Sequence, residues 1–429
     1  MSLRRRLVFA SVLSIPLLLA FVAWLALAIA RQGGLAPFQV PAGGATPVAA
    51  DAATLARGRY LAAIGNCAGC HTASGGAPYA GGRGFDTPYG TVYSSNLTPH
   101  AGTGIGDWSL AEFRHAMRHG VSRNGVQSPV FPYANFARLD DADIEALYAW
   151  LRSLPPVDGA PPANALGFPA NLPGAMTAWR LLYYRPVPVA SGAGGDPLQR
   201  GRYLVDGIGH CNLCHGSRGT LSSQHAEGYL AGGQLRGWYA PALDAETLER
   251  YPAAELARYL REGMSSVSGA YGPMADVVYA NLQHLTEADA LAMAQYLKAV
   301  PPPPPVRRTS ARLKASDRQL AIGERLYAEH CAGCHGEDGS GEPGRYPALA
   351  TSTAVLATSP ANAVNLVLLG AVAPTTPGNP APWTMPPSAH RLAADDVASL
   401  VNYVRSRWGQ GGRLVTAEEV RTLGSAWLD

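Results

Sequence analysis

The 429-residue chain has few charged side chains and no concentrated patch of either sign. Only 15% of its residues are charged, and the formal net charge is +3. The one basic run is Arg4-Arg5-Arg6, so nucleic acid is excluded as a partner. No Ser-His-Asp set or carboxylate pair stands out in the sequence. Outside the pattern described next, the chain therefore shows no catalytic site of its own.

Cysteine is scarce, and all six cysteines lie in three copies of the pattern Cys-X-X-Cys-His. This pattern is typical of haem c attachment, in which two thiols form thioethers with the porphyrin and the histidine ligates the iron. A zinc site would gather four ligands, and a thioredoxin-like pair would follow a strand, whereas each copy here stands alone. We therefore expect three covalent haem c groups. The predicted attachment residues are Cys67, Cys70, Cys211, Cys214, Cys331 and Cys334, and the predicted proximal ligands are His71, His215 and His335.

The segments that flank the three motifs also repeat. The opening sequence at 57–61 returns at 200–204 and, more loosely, at 323–327. Each repeat closes on a helical pattern after an acidic turn, with Trp150, Tyr296 and Tyr403 in register. A glycine in each opening segment would let another helix cross closely. The repeat predicts an all-α chain of three tandem class I cytochrome c domains.

The N-terminus reads as a membrane segment. An uncharged apolar run from Leu7 to Ala30 follows the three arginines, and as a helix it would be about 36 Å long, enough to cross a bilayer. It exceeds an ordinary signal-peptide core, so an uncleaved transmembrane anchor is favoured over a signal helix cleaved after Ala28-Ile29-Ala30. This predicts an inner (cytoplasmic) membrane location with the domains on the periplasmic side.

These patterns divide the chain into eight segments. The segment at 179–184 is too apolar for a free tether, so it either packs on the domains or lines a quinone contact. The predicted segments are a signal-anchor helix (1–35), a tether (36–50), domain one (51–156), a packed linker (157–195), domain two (196–300), a proline-rich linker (301–315), domain three (316–412) and a tail (413–429).

The sixth iron ligand is predicted separately for each domain. Electron-transfer haems commonly take a methionine from a loop before the closing helix, and Met274 and Met385 stand at that place in domains two and three. Domain one has Phe131 there, which cannot ligate iron. Met117 is its tentative replacement, although its position also suits a core residue. The alternatives are His115, His119 or no protein ligand.

Three further stretches carry a family resemblance: 87–99, 104–108 and Met385-Pro386-Pro387. With the motifs, they resemble the triple-haem cytochrome c subunit of membrane-bound dehydrogenases of acetic acid and related bacteria. The resemblance implies an electron-transfer subunit that passes electrons from a dehydrogenase catalytic subunit to ubiquinone. Phe131-Pro132-Tyr133 is more similar to the cytochromes of molybdenum aldehyde and nicotinate dehydrogenases, which implies a further small iron-sulfur subunit.

Two alternatives remain open. The partner could instead be an alcohol dehydrogenase with pyrroloquinoline quinone, or a flavin-dependent sugar or polyol dehydrogenase. A free-standing haem reductase or peroxidase that uses the haem of domain one is the alternative of a different class.

Overall fold

The computed structural model describes residues 16, 18–29, 50–190, 195–219, 228–235, 237–302, 315–409 and 414–425. Contacts divide the chain into two compact units, residues 1–59 with 67–191, and residues 60–66 with 192–429. The second and third motifs both lie in the second unit. Most of the predicted anchor and tether, residues 303–314 of the proline-rich linker, and the last residues of the tail lie outside the described residues.

Helices dominate the first repeat, and short strands fill its loops. Its helices are α1 (Ala52–Ile64), α2 (Cys67–Cys70), α3 (Leu110–His119), α4 (Tyr133–Phe136) and α5 (Asp141–Arg152). Its strands are β1 (Gly84–Thr87), β2 (Gly90–Tyr93), β3 (Val121–Ser122) and β4 (Gly125–Val126). The segment that follows holds β5 (Ala165–Leu166) and α6 (Ala175–Tyr183).

The second and third repeats follow the same plan. The second holds α7 (Pro197–Tyr203), a π-helical turn (Leu204–Ile208), α8 (Asn212–His215), β6 (Gly233–Leu235), β7 (Trp238–Ala240), α9 (Ala253–Glu262), α10 (Pro273–Ala280), a 3-10 turn (Leu282–His284) and α11 (Glu287–Ala299). The third holds α12 (Asp317–His330), α13 (Ala332–His335), α14 (Thr353–Leu356), α15 (Ala361–Leu369), β8 (Ala371–Val372), β9 (Thr384–Met385), α16 (Ala394–Trp408) and α17 (Ala417–Ser425).

In every repeat the opening helix crosses the closing helix at a glycine, as the sequence predicted. A Cβ at Gly58 would lie 2.0 Å from the carbonyl oxygen of Ala146. A Cβ at Gly201 would lie 2.0 Å from the carbonyl oxygen of Ala292, and a Cβ at Gly323 would lie 2.3 Å from that of Ser399. Backbone-to-backbone approach this close leaves no room for any other residue. The aromatic residues Trp150, Tyr296 and Tyr403 lie at these three crossings in register.

Replacing Gly201 by alanine is therefore expected to lower the thermal unfolding midpoint strongly. The added methyl group would have to push α7 away from α11, and overpacking of this kind costs about 1 to 3 kcal/mol or more. Gly195 is the matched control, because a Cβ there would meet no atom within 4 Å. Differential scanning calorimetry checks the pair, and equal midpoints for the two variants would contradict the helix crossing.

Side-chain caps fix where the helices begin. Ser109 accepts a hydrogen bond from the Glu112 backbone N–H at the start of α3, and Thr286 accepts one from Asp289 at the start of α11. Helix α3 ends at Gly120, whose φ of +59° suits glycine at a C-terminal cap.

Bidentate arginine–aspartate pairs join the opening and closing helices of two repeats. These pairs were not predicted from the sequence. Arg57 binds both carboxylate oxygens of Asp143, at 2.7 and 2.8 Å. In the second repeat, Arg200 binds both oxygens of Asp289 at 2.8 Å. Bidentate pairs of this kind fix orientation as well as distance. Their sequence signal is an arginine directly before the crossing glycine, and Ile322 replaces it in the third repeat.

The prediction of an all-α fold was wrong in one respect, because short strands are present. Strands β1, β2 and β5 form one antiparallel sheet, and β3–β4, β6–β7 and β8–β9 form two-stranded pairs. These strands are only two to four residues long and lie in loops that the sequence analysis took as irregular. Their glycine-rich turns hide the alternation that marks a longer strand. Gly90, at φ +110°, makes one of these turns.

The predicted transmembrane helix, and with it the inner-membrane location, was also wrong. Residues 16 and 18–29 are helical, but none of the helices among the described residues is long and apolar enough to span a membrane.

Candidate functional site

Each Cys-X-X-Cys-His motif forms a single helical turn. In all three, the histidine backbone N–H donates to the carbonyl oxygen of the first cysteine at 2.9 Å. Residues three apart in a helical turn lie on the same side, so both thiols of a motif can face one ligand. The three turns share this backbone hydrogen bond.

The three motif histidines are also oriented in the same way. Nδ1 of His71 lies 2.7 Å from the carbonyl oxygen of Ser95, and Nδ1 of His215 lies 2.7 Å from that of Pro241. The corresponding distance from His335 to Pro347 is 2.9 Å. A carbonyl can only accept, so Nδ1 carries the proton and Nε2 keeps its lone pair for a metal.

The carbonyl groups that orient the histidines were not predicted, although the sequence holds a signal for them. They come from the tripeptides Ser95-Asn96-Leu97, Pro241-Ala242-Leu243 and Pro347-Ala348-Leu349. In each, the leucine N–H donates to a backbone carbonyl, that of Tyr79, Leu230 or Gly339, at 2.8 to 2.9 Å. The distance from motif to tripeptide varies between repeats, which conceals the match in a simple alignment.

Burial raises the pKa of the first thiol in each motif. Burial, helped by the neighbouring Cys70, raises the pKa of Cys67 to about 12, and burial also raises the pKa of Cys211 to about 12 and that of Cys331 to about 11. Reactive cysteines of redox pairs have a lowered pKa instead. These thiols therefore lack the electrostatic environment of a dithiol redox centre, whereas addition to a vinyl group fits their place beside an oriented histidine.

The second motif is preceded by the π-helical turn Leu204–Ile208, which accounts for its different spacing. Gly201 precedes Cys211 by ten positions, whereas Gly58 precedes Cys67 by nine and Gly323 precedes Cys331 by eight. The wider turn accommodates the additional residue without moving the helix crossing. It also places the buried carboxylate of Asp206 where Tyr229 donates to it, and burial together with that carboxylate raises the pKa of Tyr229.

Met274 and Met385 both precede the closing helices, as expected, but each lies in a short regular element rather than in an irregular loop. Met274 is the second residue of α10, which begins after Gly272 at φ +52°. Met385 lies in β9, opposite Ala371 of β8. Both side chains are partly buried.

The other methionines of the second repeat are placed differently. Met264 is 6% exposed, and its Sδ accepts a hydrogen bond from Trp383. Met293 is 2% exposed in the core on α11. The sulfur of Met264 is thus already engaged, and Met274 remains the better candidate for a ligand in this repeat.

The first repeat has an aromatic residue at the corresponding place. Phe131 packs edge-on against Phe136, with ring centroids 5.5 Å apart. Met117 is 7% exposed on α3, so both its roles considered above, core residue and ligand, stay predictions.

His115 and His119 lie beside a buried arginine from α6. Arg180 is fully buried, its guanidinium lies 4.4 Å from the Tyr184 ring centroid and 5.2 Å from that of Tyr133, and it donates to the His119 carbonyl. Burial, with the nearby charges of His115 and Arg180, lowers the pKa of His119 to about 4. Burial also lowers the pKa of His115. Both imidazoles are therefore neutral near pH 7.

In the part of the chain that the structure describes, no three His, Cys, Asp or Glu side chains gather as a metal site. Each motif instead offers one histidine as a ligand and two thiols for covalent attachment, which suits a metal held by a porphyrin.

Comparison with known proteins places these sites in a family. Residues 55–155 and 320–408 match the family model for cytochrome c. The chain is 36% identical to the cytochrome c subunit of gluconate 2-dehydrogenase of Pantoea cypripedii, over 87% of this chain and 90% of that protein. It is 34% identical to the cytochrome c subunit of the quinone alcohol dehydrogenase of Komagataeibacter europaeus, over 87% and 85%.

The chain belongs to the cytochrome c subunits of dehydrogenases. It is also 40% identical to a nicotinate dehydrogenase subunit of Pseudomonas putida, over 91% of this chain. It spans 33% of the length of that longer protein.

A cytochrome c subunit carries covalent haem c, and the two matched segments imply at least two such groups. The residues present fit this cofactor. Each matched segment holds two thiols on one helical turn and a histidine whose Nε2 keeps its lone pair for iron.

Proposed function

We propose that this cytochrome c subunit carries three haem c groups and passes electrons from a dehydrogenase catalytic subunit to ubiquinone. The observation that carries the proposal is the identical setting of the three motif histidines. The second motif lies outside the two segments that match the family model, yet His215 Nδ1 meets a backbone carbonyl at the same 2.7 Å as His71.

The roles of the side chains follow from this setting. Cys67, Cys70, Cys211, Cys214, Cys331 and Cys334 attach the haems, and His71, His215 and His335 are the proximal ligands. Met274 and Met385 are the proposed sixth ligands, with Met117 as the tentative one in the first repeat. A haem iron supplies a one-electron carrier, and a methionine opposite histidine favours its ferrous form.

A molybdenum-containing dehydrogenase of the aldehyde type, with a small iron-sulfur subunit, is the proposed electron source. The likeness to the nicotinate dehydrogenase protein and the Phe131-Pro132-Tyr133 sequence support it. The likeness to cytochrome subunits of gluconate and alcohol dehydrogenases keeps flavin and pyrroloquinoline quinone enzymes as the alternatives.

The complex isolated from its native host tests this proposal. We expect the chain to co-purify with a larger subunit that contains molybdenum by elemental analysis. An aldehyde or a heteroaromatic substrate added without oxygen should reduce the haems, and a soluble ubiquinone analogue should reoxidise them. A chain that purifies alone and reacts with peroxide would contradict the proposal and favour a free-standing haem enzyme.

A further inference from the structure

The loops that carry the two proposed methionine ligands lie against each other in the second unit. We call residues 263–274 the second ligand loop and residues 370–385 the third ligand loop. Each begins at the glycine that caps the end of a helix. These glycines, Gly263 and Gly370, have positive φ angles of +71° and +70°. Each ends at a proposed ligand, Met274 or Met385. A contact between these loops therefore joins the distal sides of two proposed haem sites.

Trp383 makes the central contact between the loops. Its indole N–H donates to Sδ of Met264 at 2.7 Å, and its ring lies on Gly269, where a Cβ would come within 2.8 Å of Cζ2. Met264 and Gly269 are bridged to each other through their backbones. The indole thus rests on a small, closed hairpin within the second ligand loop.

Further contacts hold the two loops together beside the tryptophan. A Cβ at Gly263 would lie 2.2 Å from Cγ of Pro374. The hydroxyl of Thr376, a residue that is 4% exposed, donates to the carbonyl oxygen of Glu262 at 3.2 Å. The third ligand loop is therefore packed on the second along much of its length, with glycine where the backbone comes closest.

Within its own loop, Trp383 is tied to Met385. Only Thr384 separates the two residues in sequence, and β9 pairs with β8 through Ala371 and Met385. The backbone carbonyl of Trp383 accepts from the Ala373 N–H at 3.1 Å, which extends the same pairing. A shift of the indole would therefore shift the strand that carries the methionine.

We propose that Trp383 is a positioning residue that holds Met385 on its haem by docking the third ligand loop on Met264 of the second repeat. The inference rests on the proposed function, because it assumes that Met385 is a ligand. Its new content is that a side chain of the second repeat, far from the third motif in sequence, controls how firmly the third haem keeps its sixth ligand.

Carbon monoxide binding to the reduced full-length holoprotein tests this. Carbon monoxide can bind a methionine-ligated ferrous haem only after the methionine leaves, so the binding rate reports how often the bond opens. Trp383→Phe keeps the ring but loses the donor, and Met264→Leu keeps the volume but loses the acceptor. Each is expected to speed binding at one haem roughly tenfold, the change for a lost hydrogen bond of ordinary strength. The double variant should bind carbon monoxide about as fast as either single variant, because each single substitution already removes the same hydrogen bond.

Matched controls remove the same groups elsewhere. Trp179→Phe removes an indole donor in the first unit, and Met293→Leu removes a core methionine in the second repeat; both are expected to leave the rates unchanged. Unchanged rates in Met264→Leu overturn the inference, even where Trp383→Phe has an effect, because Trp383 would then act only within its own loop. If Trp383→Phe does not fold, Met264→Leu decides alone.

A separate variant keeps this inference distinct from the proposed ligand itself. Met385→Leu should abolish the methionine-to-iron charge-transfer absorption of one ferric haem. If that band persists, the ligand assignment fails, and the inference fails with it. If the band disappears in Met385→Leu while Trp383→Phe and Met264→Leu bind carbon monoxide as the wild type does, only the inference fails.

Discussion

Replacing Met274 by leucine should remove the methionine-to-iron absorption of one haem and lower the reduction potential of that haem. A thioether opposite histidine stabilises ferrous iron, and leucine offers no ligand in its place. Axial ligation spans about 0.8 V across haem proteins, so a fall on the order of 0.1 V or more is expected. Absorption spectra recorded during a potentiometric titration measure both changes together.

Met293→Leu is the control for this experiment. Met293 lies in the same repeat but is buried in the core of α11, and a swap of similar volume costs less than about 1.5 kcal/mol. Its spectrum and potentials should equal those of the wild type. A variant Met274→Leu with an unaltered spectrum would show that the ligand of the second haem lies elsewhere.

The double variant Cys67→Ala, Cys70→Ala should lose one haem and leave the other two in place. Without thioethers, His71 alone would have to hold the first haem. Loss of the haem would also remove the free energy by which the bound cofactor stabilises the folded first repeat. The first repeat should therefore unfold at a lower temperature than the second unit. The haem content, measured as the pyridine haemochrome, should fall by about one third relative to wild type, because two of three attachment sites remain.

The matched variant Cys331→Ala, Cys334→Ala provides the comparison in the third repeat. It should lose the same amount of haem while leaving the first repeat unaffected. Full haem content in either variant would mean that the cysteines of that motif are not attachment sites.

Much of this arrangement could be predicted from the sequence because it depends on short-range patterns. A Cys-X-X-Cys-His turn needs only five residues, and the crossing glycines recur at a similar distance before each motif. The ends of α3 were predictable because Ser109 and Gly120 are strong capping residues. Each of these signals is complete within one or two helical turns.

The features that were missed depend on residues far apart in the chain. The carbonyl of Ser95 acts on His71 from 24 positions further along the chain, and the corresponding distance differs in the other two repeats. Trp383 and Met264 meet only because two repeats pack together. The anchor prediction failed for another reason. An apolar composition alone does not establish a spanning helix, and none of the helices among the described residues meets that requirement.

The mass of the intact denatured protein tests the central claim most directly, since thioether-bound haem stays on the chain. The account predicts the polypeptide plus three haem masses for the wild type, and plus two for the Cys67→Ala, Cys70→Ala variant. A wild-type mass with two haems or fewer would contradict the claim that all three repeats are haem-binding modules.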